Sequence, residues 1–224
     1  MDEPTFPFVR GLEAEISALR DFAARLSSYR RAYQGFSQRL RENGRPWAKA
    51  WNEELVPLLY LADGLQLAGD DRFALMAPGH ASDVELVARG ERRAIQVTVA
   101  DLVWPEASFP AGQLHALKNK HLAEGPVWGG AHLHRDASGK IVSEPHARGP
   151  DDDACRAGLV AALERKRPHD GRGKTLLVYA REFSQHLYDS DTHAIFADAV
   201  ATVPQLTFDL VCVVDWHVFW RSAP

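Results

Sequence analysis

The sequence predicts an α/β protein: a mixed sheet flanked by helices, with a helical N-terminal arm. Three observations predict it. Apolar residues recur at three- and four-residue steps through the first sixty or so positions. The period then changes to two, over 83–87 and again over 94–99. From Asp151 onward, strand-like apolar runs alternate with helix-like segments, an order that suits crossover connections in a mixed sheet.

Composition bounds the classes. The chain has 224 residues, 46% of them apolar and 25% charged, which suits a globular protein and excludes a disordered or fibrous one. No apolar run reaches the roughly 18 residues of a membrane span, so no membrane partner is expected. Cys155 and Cys212 alone build neither a disulfide framework nor a cysteine zinc site. The start, Met1-Asp2-Glu3-Pro4, has no basic segment leading into an apolar one, so the expected location is cytoplasmic. The net charge of −4 argues against a general nucleic-acid coat but leaves a local basic patch open.

The first helix is read over 11–41, on Leu12, Ile16, Leu19, Phe22, Leu26, Tyr29, Tyr33, Phe36 and Leu40, with Gly35 as a kink or break. Residues 1–45 form the arm, and 46–224 form the core domain with an insertion at 103–150. From Arg20 to Lys49 the chain carries eight cations against only Asp21 and Glu42. Such a stretch is either a solvated face or a surface for phosphates or an acidic partner. Asn43-Gly44-Arg45-Pro46 stops one helix and starts another. The second runs from Trp47 to about Ala62, with Pro57 bending it or ending its regular part.

A β-hairpin follows. Arg89-Gly90-Glu91-Arg92 is its turn. Val84 and Leu86 share one face with Ile95, Val97 and Val99; Asp83 and Glu85 share the other with Gln96 and Thr98. A turn centred on Gly90-Glu91 pairs Arg89 with Arg92, sets Glu85 opposite Gln96 and sets Asp83 opposite Thr98. Oxygen ligands then converge on one face, a set that suits Mg²⁺. Beyond the hairpin, a helix over 113–124, a small hairpin over 131–142, a helix over 151–167, a strand over 175–180, a helix over 192–203 and a strand over 206–214 complete the reading.

This pattern resembles the PD-(D/E)XK nuclease superfamily, the restriction-endonuclease-like fold. Ser82-Asp83 stands for its "PD" element, and Ile95-Gln96-Val97-Thr98 for its "(D/E)xK" element. The resemblance covers roughly residues 47–214 and implies an αβββαβ core. It implies a metal-dependent nuclease acting on DNA, with RNA as the alternative substrate. Asp83, Gln96 and the Val97 carbonyl would hold Mg²⁺ or Mn²⁺, and Glu85 would ligate a second ion. Glu54, rather than Glu53, would reach the ion from the preceding helix. Arg30, Arg31, Arg39, Arg41 and Arg45 of the arm, with Lys118 and Lys120, would grip the nucleic-acid backbone. Gln96 stands where Glu is commoner, and its amide oxygen can still ligate. Thr98 stands where the motif has lysine and brings no positive charge. Lys118, Lys120 and Lys166 are the candidates to supply it; if none does, the protein is a catalytically inactive binding module. A homodimer and a subunit of a larger complex are both compatible with this reading.

Other signals carry less. Gly171-Arg172-Gly173-Lys174-Thr175 lacks the first glycine of a phosphate loop and precedes a strand instead of opening a helix. His132 and His134 share a strand face but lack further spaced zinc ligands. Trp216, Phe219 and Trp220 either close a core or stack on bases. Ser184 and His186 have no nucleophile elbow around them.

Overall fold

A seven-stranded mixed sheet, in the order β1-β2-β3-β4-β7-β8-β9, organises the molecule. The computed structural model describes residues 4–32, 46–102, 131–135, 141–145, 152–181, 183, 191–216 and 218–222. The chain enters through β1 (Glu13–Glu15) and α1 (Ile16–Ala32). Next come α2 (Pro46–Ala50), a π-helical turn (Trp51–Leu55) and α3 (Val56–Gly64). Then follow β2 (Arg72–Leu75), β3 (Val84–Ala88) and β4 (Glu91–Ala100). A separate two-stranded ribbon comprises β5 (Ala131–Arg135) and β6 (Ile141–Pro145). The chain closes with α4 (Asp152–Lys166), β7 (Lys174–Ala180), α5 (Thr192–Thr202), β8 (Leu210–Asp215) and β9 (Val218–Arg221).

The meander β1 to β4 is antiparallel, and β4, β7 and β8 run parallel. Strands β7 and β8 are largely apolar on both faces because a helical layer covers each. On one side Leu19, Phe22 and Leu26 of α1 pack with Leu55, Leu58 and Leu61 over Ile95, Val97, Leu177 and Cys212. On the other, Leu159 and Leu163 of α4 and Phe196 of α5 pack over Leu176, Val178, Val211 and Val213. Each fully buried leucine or phenylalanine contributes about 1.5–3 kcal/mol. Burial pushes the Cys212 thiol up to about 12, so it behaves as an apolar side chain.

The N-terminal segment is not wholly helical. Helical periodicity places Leu12 on the apolar face, yet Leu12 is exposed and Glu13–Glu15 pairs with β2 as an edge strand. Pairing with an available strand outweighs local propensity here. Pro57 does not end its helix: it sits at the first turn of α3, where its missing N–H costs little. The irregularity falls just before it, in the π-helical turn. The helices over 152–166 and 192–202 and the strands β7 and β8 fall close to their expected places. Asp191 caps α5 by accepting a hydrogen bond from the Ala194 N–H. The expected helix over 113–124 lies outside the described residues.

The hairpin register differs from expectation by two residues. Ala88 pairs with Glu91, Glu85 with Ala94 and Val84 with Ile95. Arg89 and Gly90 both have positive φ, +53° and +79°. They form the two-residue turn whose twist matches that of the strands, which favours glycine at its second position. The turn therefore centres on Arg89-Gly90, not Gly90-Glu91. A slip of two preserves every face assignment, because side chains alternate with a period of two.

Candidate metal and phosphodiester site

Past the end of β3, one edge of β4 has no strand partner among the described residues, and the site builds up there. The N–H and C=O of a strand residue project to the same edge. On this edge, the Ile95 carbonyl accepts from the Asp83 N–H at 2.9 Å. Two residues on, the Val97 N–H donates to Asp83 Oδ2 at 2.8 Å. Two residues further, the Val99 carbonyl accepts from Arg165 Nη2 at 2.7 Å. The Asp83 carboxylate thus lies in the place where the next residue of β3 would otherwise pair.

Gln96 and Thr98 point to the face covered by α4, and both are buried. Gln96 Nε2 donates to the exposed Ala81 carbonyl at 3.2 Å. That bond fixes the amide, and it leaves Gln96 Oε1 buried with no hydrogen-bond partner among the described residues. A buried orphan oxygen is rare and asks for an explanation such as a water or an ion. Asp83 has about four lone-pair positions, and Val97 N–H uses one. The Val97 carbonyl leaves its strand on the same edge. Mg²⁺ is bound through one or two carboxylates plus other oxygens, with water completing its shell. Asp83, Gln96 Oε1 and the Val97 carbonyl fit that chemistry. Among the described residues, no three His, Cys, Asp or Glu side chains gather to hold a metal unaided.

The other expected residues fall as follows. Glu54 sits in the π-helical turn and faces inward, with a side chain 15% exposed, while Glu53 is 45% exposed beside Lys49. Glu54 Oε1 accepts from Arg10 Nη2 at 2.8 Å, and its Oε2 is buried without a partner. Arg10 Nη1 also donates to the Met76 carbonyl, and the Met76 N–H donates to the Asp83 carbonyl. One chain of contacts therefore ties Glu54 to the Asp83 backbone. Glu85 is not opposite Gln96. It lies opposite Ala94 and pairs with Arg92, which also binds Glu13. That engagement removes it from the Asp83 end.

Of the basic residues, Arg30 and Arg31 belong to α1, where Arg31 is exposed. Arg39, Arg41, Arg45, Lys118 and Lys120 lie outside the described residues. Arg20, in the same basic stretch, pairs with Asp63. In β9, Phe219 packs against one core and Trp220 against the other, while Trp216 is 65% exposed.

Sequence reasoning missed Arg10 and His80. Arg10 bonds residues 44 and 66 positions away, which no local pattern reveals. His80 stands in the loop before Asp83, and its Nδ1 accepts from the Ser82 N–H. In a neutral imidazole that leaves the proton on Nε2. No protein-family model matches the chain, and no characterised protein or solved structure is significantly similar to it.

Proposed function

We propose that the chain is a metal-dependent nuclease that hydrolyses phosphodiester bonds in DNA, with RNA as the alternative substrate. The observation that carries this reading is the buried Gln96 Oε1, without a partner among the described residues, one position along β4 from the Val97 N–H that aims the Asp83 carboxylate. The order helix, three antiparallel strands, helix, parallel strand from α3 to β7 agrees with the αβββαβ core of the PD-(D/E)XK superfamily. In that fold the acidic residue opens the second strand and the x-separated pair sits on the third. Asp83 precedes β3, and Gln96 and Thr98 lie on β4.

Asp83, Gln96 and the Val97 carbonyl would hold Mg²⁺ or Mn²⁺. The bound ion would polarise the scissile phosphate and lower the pKa of the attacking water. The chain's own contribution is positioning. Val97 N–H fixes the carboxylate, Ala81 fixes the Gln96 amide, and the layer under α4 keeps Gln96 Oε1 from bulk water. Glu85 is committed to Arg92, so a second ion at Glu85 is not part of this proposal.

The rival reading is a catalytically inactive nucleic-acid- or protein-binding module. Thr98 in the lysine position favours it. The test is incubation with circular single- and double-stranded DNA and with RNA, in Mg²⁺ or Mn²⁺, beside Asp83→Ala. Cleavage that needs the metal and Asp83 supports the nuclease. No cleavage, or equal cleavage by the variant, favours the binding module.

A further inference from the structure

We infer that Arg165 supplies the positive charge that Thr98 cannot, and contacts the scissile phosphate directly. The inference rests on the nuclease reading above. Its basis is the edge of β4. Asp83 occupies that edge at Val97, and the Arg165 guanidinium occupies the same edge at Val99. Two residues of strand separate these contacts by roughly 7 Å. Thr98 lies between them.

Three features make Arg165 suited to the role. First, its place is fixed by packing. Gly158 lets α4 approach the end of β4, because a Cβ there would lie 2.2 Å from the Asp101 carbonyl oxygen. Larger residues at 158 would push away the helix that carries Arg165. Second, no described carboxylate neutralises its charge. Among the described residues no carboxylate pairs with Arg165, whereas Arg156, Arg167, Arg172 and Arg181 each have one. Third, a guanidinium carries five N–H donors in a fork that matches phosphate oxygens. The Val99 carbonyl takes one Nη2 hydrogen, and the side chain is otherwise exposed. Lys166, the neighbouring cation, projects about 100° away around the helix.

In the reaction, the water oxygen bonds to phosphorus and its proton passes to solvent. The bond from phosphorus to the leaving oxygen breaks, and that oxygen takes a proton from water. Arg165 remains protonated throughout and gives up no proton. It faces the negative charge that builds on the non-bridging oxygens as the new bond forms.

The test compares Arg165→Gln, Lys166→Gln and the double variant Thr98→Lys with Arg165→Gln. Three readouts are taken: cleavage in Mg²⁺, thermal midpoint, and oligonucleotide affinity in EDTA. The expected result is a drop of on the order of a hundredfold in cleavage by Arg165→Gln. Its thermal midpoint stays unchanged, its affinity falls no more than a few-fold, and Lys166→Gln cleaves normally. Lysine at 98 then restores at least tenfold of the loss. Normal cleavage by Arg165→Gln overturns the inference while leaving the nuclease reading intact. So does a loss of cleavage that tracks a loss of thermal stability, or a double variant no better than Arg165→Gln. Wild-type protein that cleaves nothing removes both.

Discussion

The two ends of the β3–β4 hairpin are made from similar residues and behave in opposite ways. Towards the turn end, Glu13, Glu85 and Glu91 are each paired with an arginine. Arg92 binds both Glu85 and Glu13, Arg72 lies near Glu13, and Arg93 binds Glu91. Hydrogen bonds donated to Glu85 and Glu13 raise the Arg92 guanidinium above its ordinary range, and the bond from Arg93 lowers the Glu91 carboxyl. These groups are exposed, so water and salt screen most of the benefit. At the other end, Gln96 Oε1 and Glu54 Oε2 are buried and have no partner. Each such atom costs about 1–3 kcal/mol. The contrast marks one of the places where this fold gives up stability; Trp51, Arg156 and Arg181 also carry a buried nitrogen that lacks a hydrogen-bond acceptor among the described residues.

The comparison can be broken most directly at Asp83. Asp83→Asn keeps an oxygen to accept from Val97 N–H but loses the charge. Its thermal midpoint should match wild type while cleavage falls roughly a thousandfold, since metal polarisation supplies several kcal/mol and each 1.36 kcal/mol is tenfold. A variant that cleaves normally would remove the site from this edge.

Gln96→Leu comes next. It deletes the orphan oxygen and also the part-buried bond to the carbonyl of Ala81, itself an exposed residue. Chemical denaturation should show stability unchanged or raised by about 1 kcal/mol, with cleavage reduced on the order of a hundredfold. Clear destabilisation would mean that the amide serves the fold.

A smaller effect is expected at the Arg10–Glu54 pair. Arg10→Ala leaves the Glu54 carboxylate largely buried without its cation, and unfolding should show a loss of about 1–3 kcal/mol. Adding Glu54→Gln should recover part of it, because the two side chains are in contact and do not act additively. Equal losses in the single and double variants would show that Arg10 acts through Met76 instead.

The turn end should respond least. Arg92→Ala is expected to cleave like wild type and to melt at an indistinguishable temperature. Glu91 has a lowered carboxyl, so its small contribution is present above the unfolded-state pKa and is lost as pH falls through the folded one. Glu91→Gln should therefore change stability only above the acid range, by an amount that 0.5 M salt abolishes. A large effect there would mean that the exposed network matters more than its exposure suggests.

The sequence made the faces of the hairpin legible because strand side chains alternate strictly, and Gln96 and Thr98 share one buried face, whereas the Asp83 carboxylate turns to the strand edge at the Val97 N–H. Glu54 was legible for a similar reason, from its spacing to Trp51 and Leu58. The register was not, because the turn type depends on φ at both Arg89 and Gly90, and the positive φ of Arg89 has no signal in a single residue. The strands over 13–15, 72–75 and 218–221 are too short to display a period; their partners define them. Arg10 and Arg165 were illegible because their contacts span 44 to 66 residues. Arg165 looked like an ordinary cation in the last turn of a helix, where it complements the helix dipole.

In the proposed function, the open edge of β4 would hold a divalent ion through Asp83 and Gln96. The most direct measurement is a calorimetric titration of metal-free protein with Mn²⁺, alongside Asp83→Asn, followed by thermal melts at saturating metal. At a hundredfold excess over Kd, a specific site adds about 2.7 kcal/mol to stability. The expected result is a single saturable site in the wild type with a raised melting temperature, and neither in Asp83→Asn. Equal binding by both proteins, or no binding by the wild type, would contradict the claim.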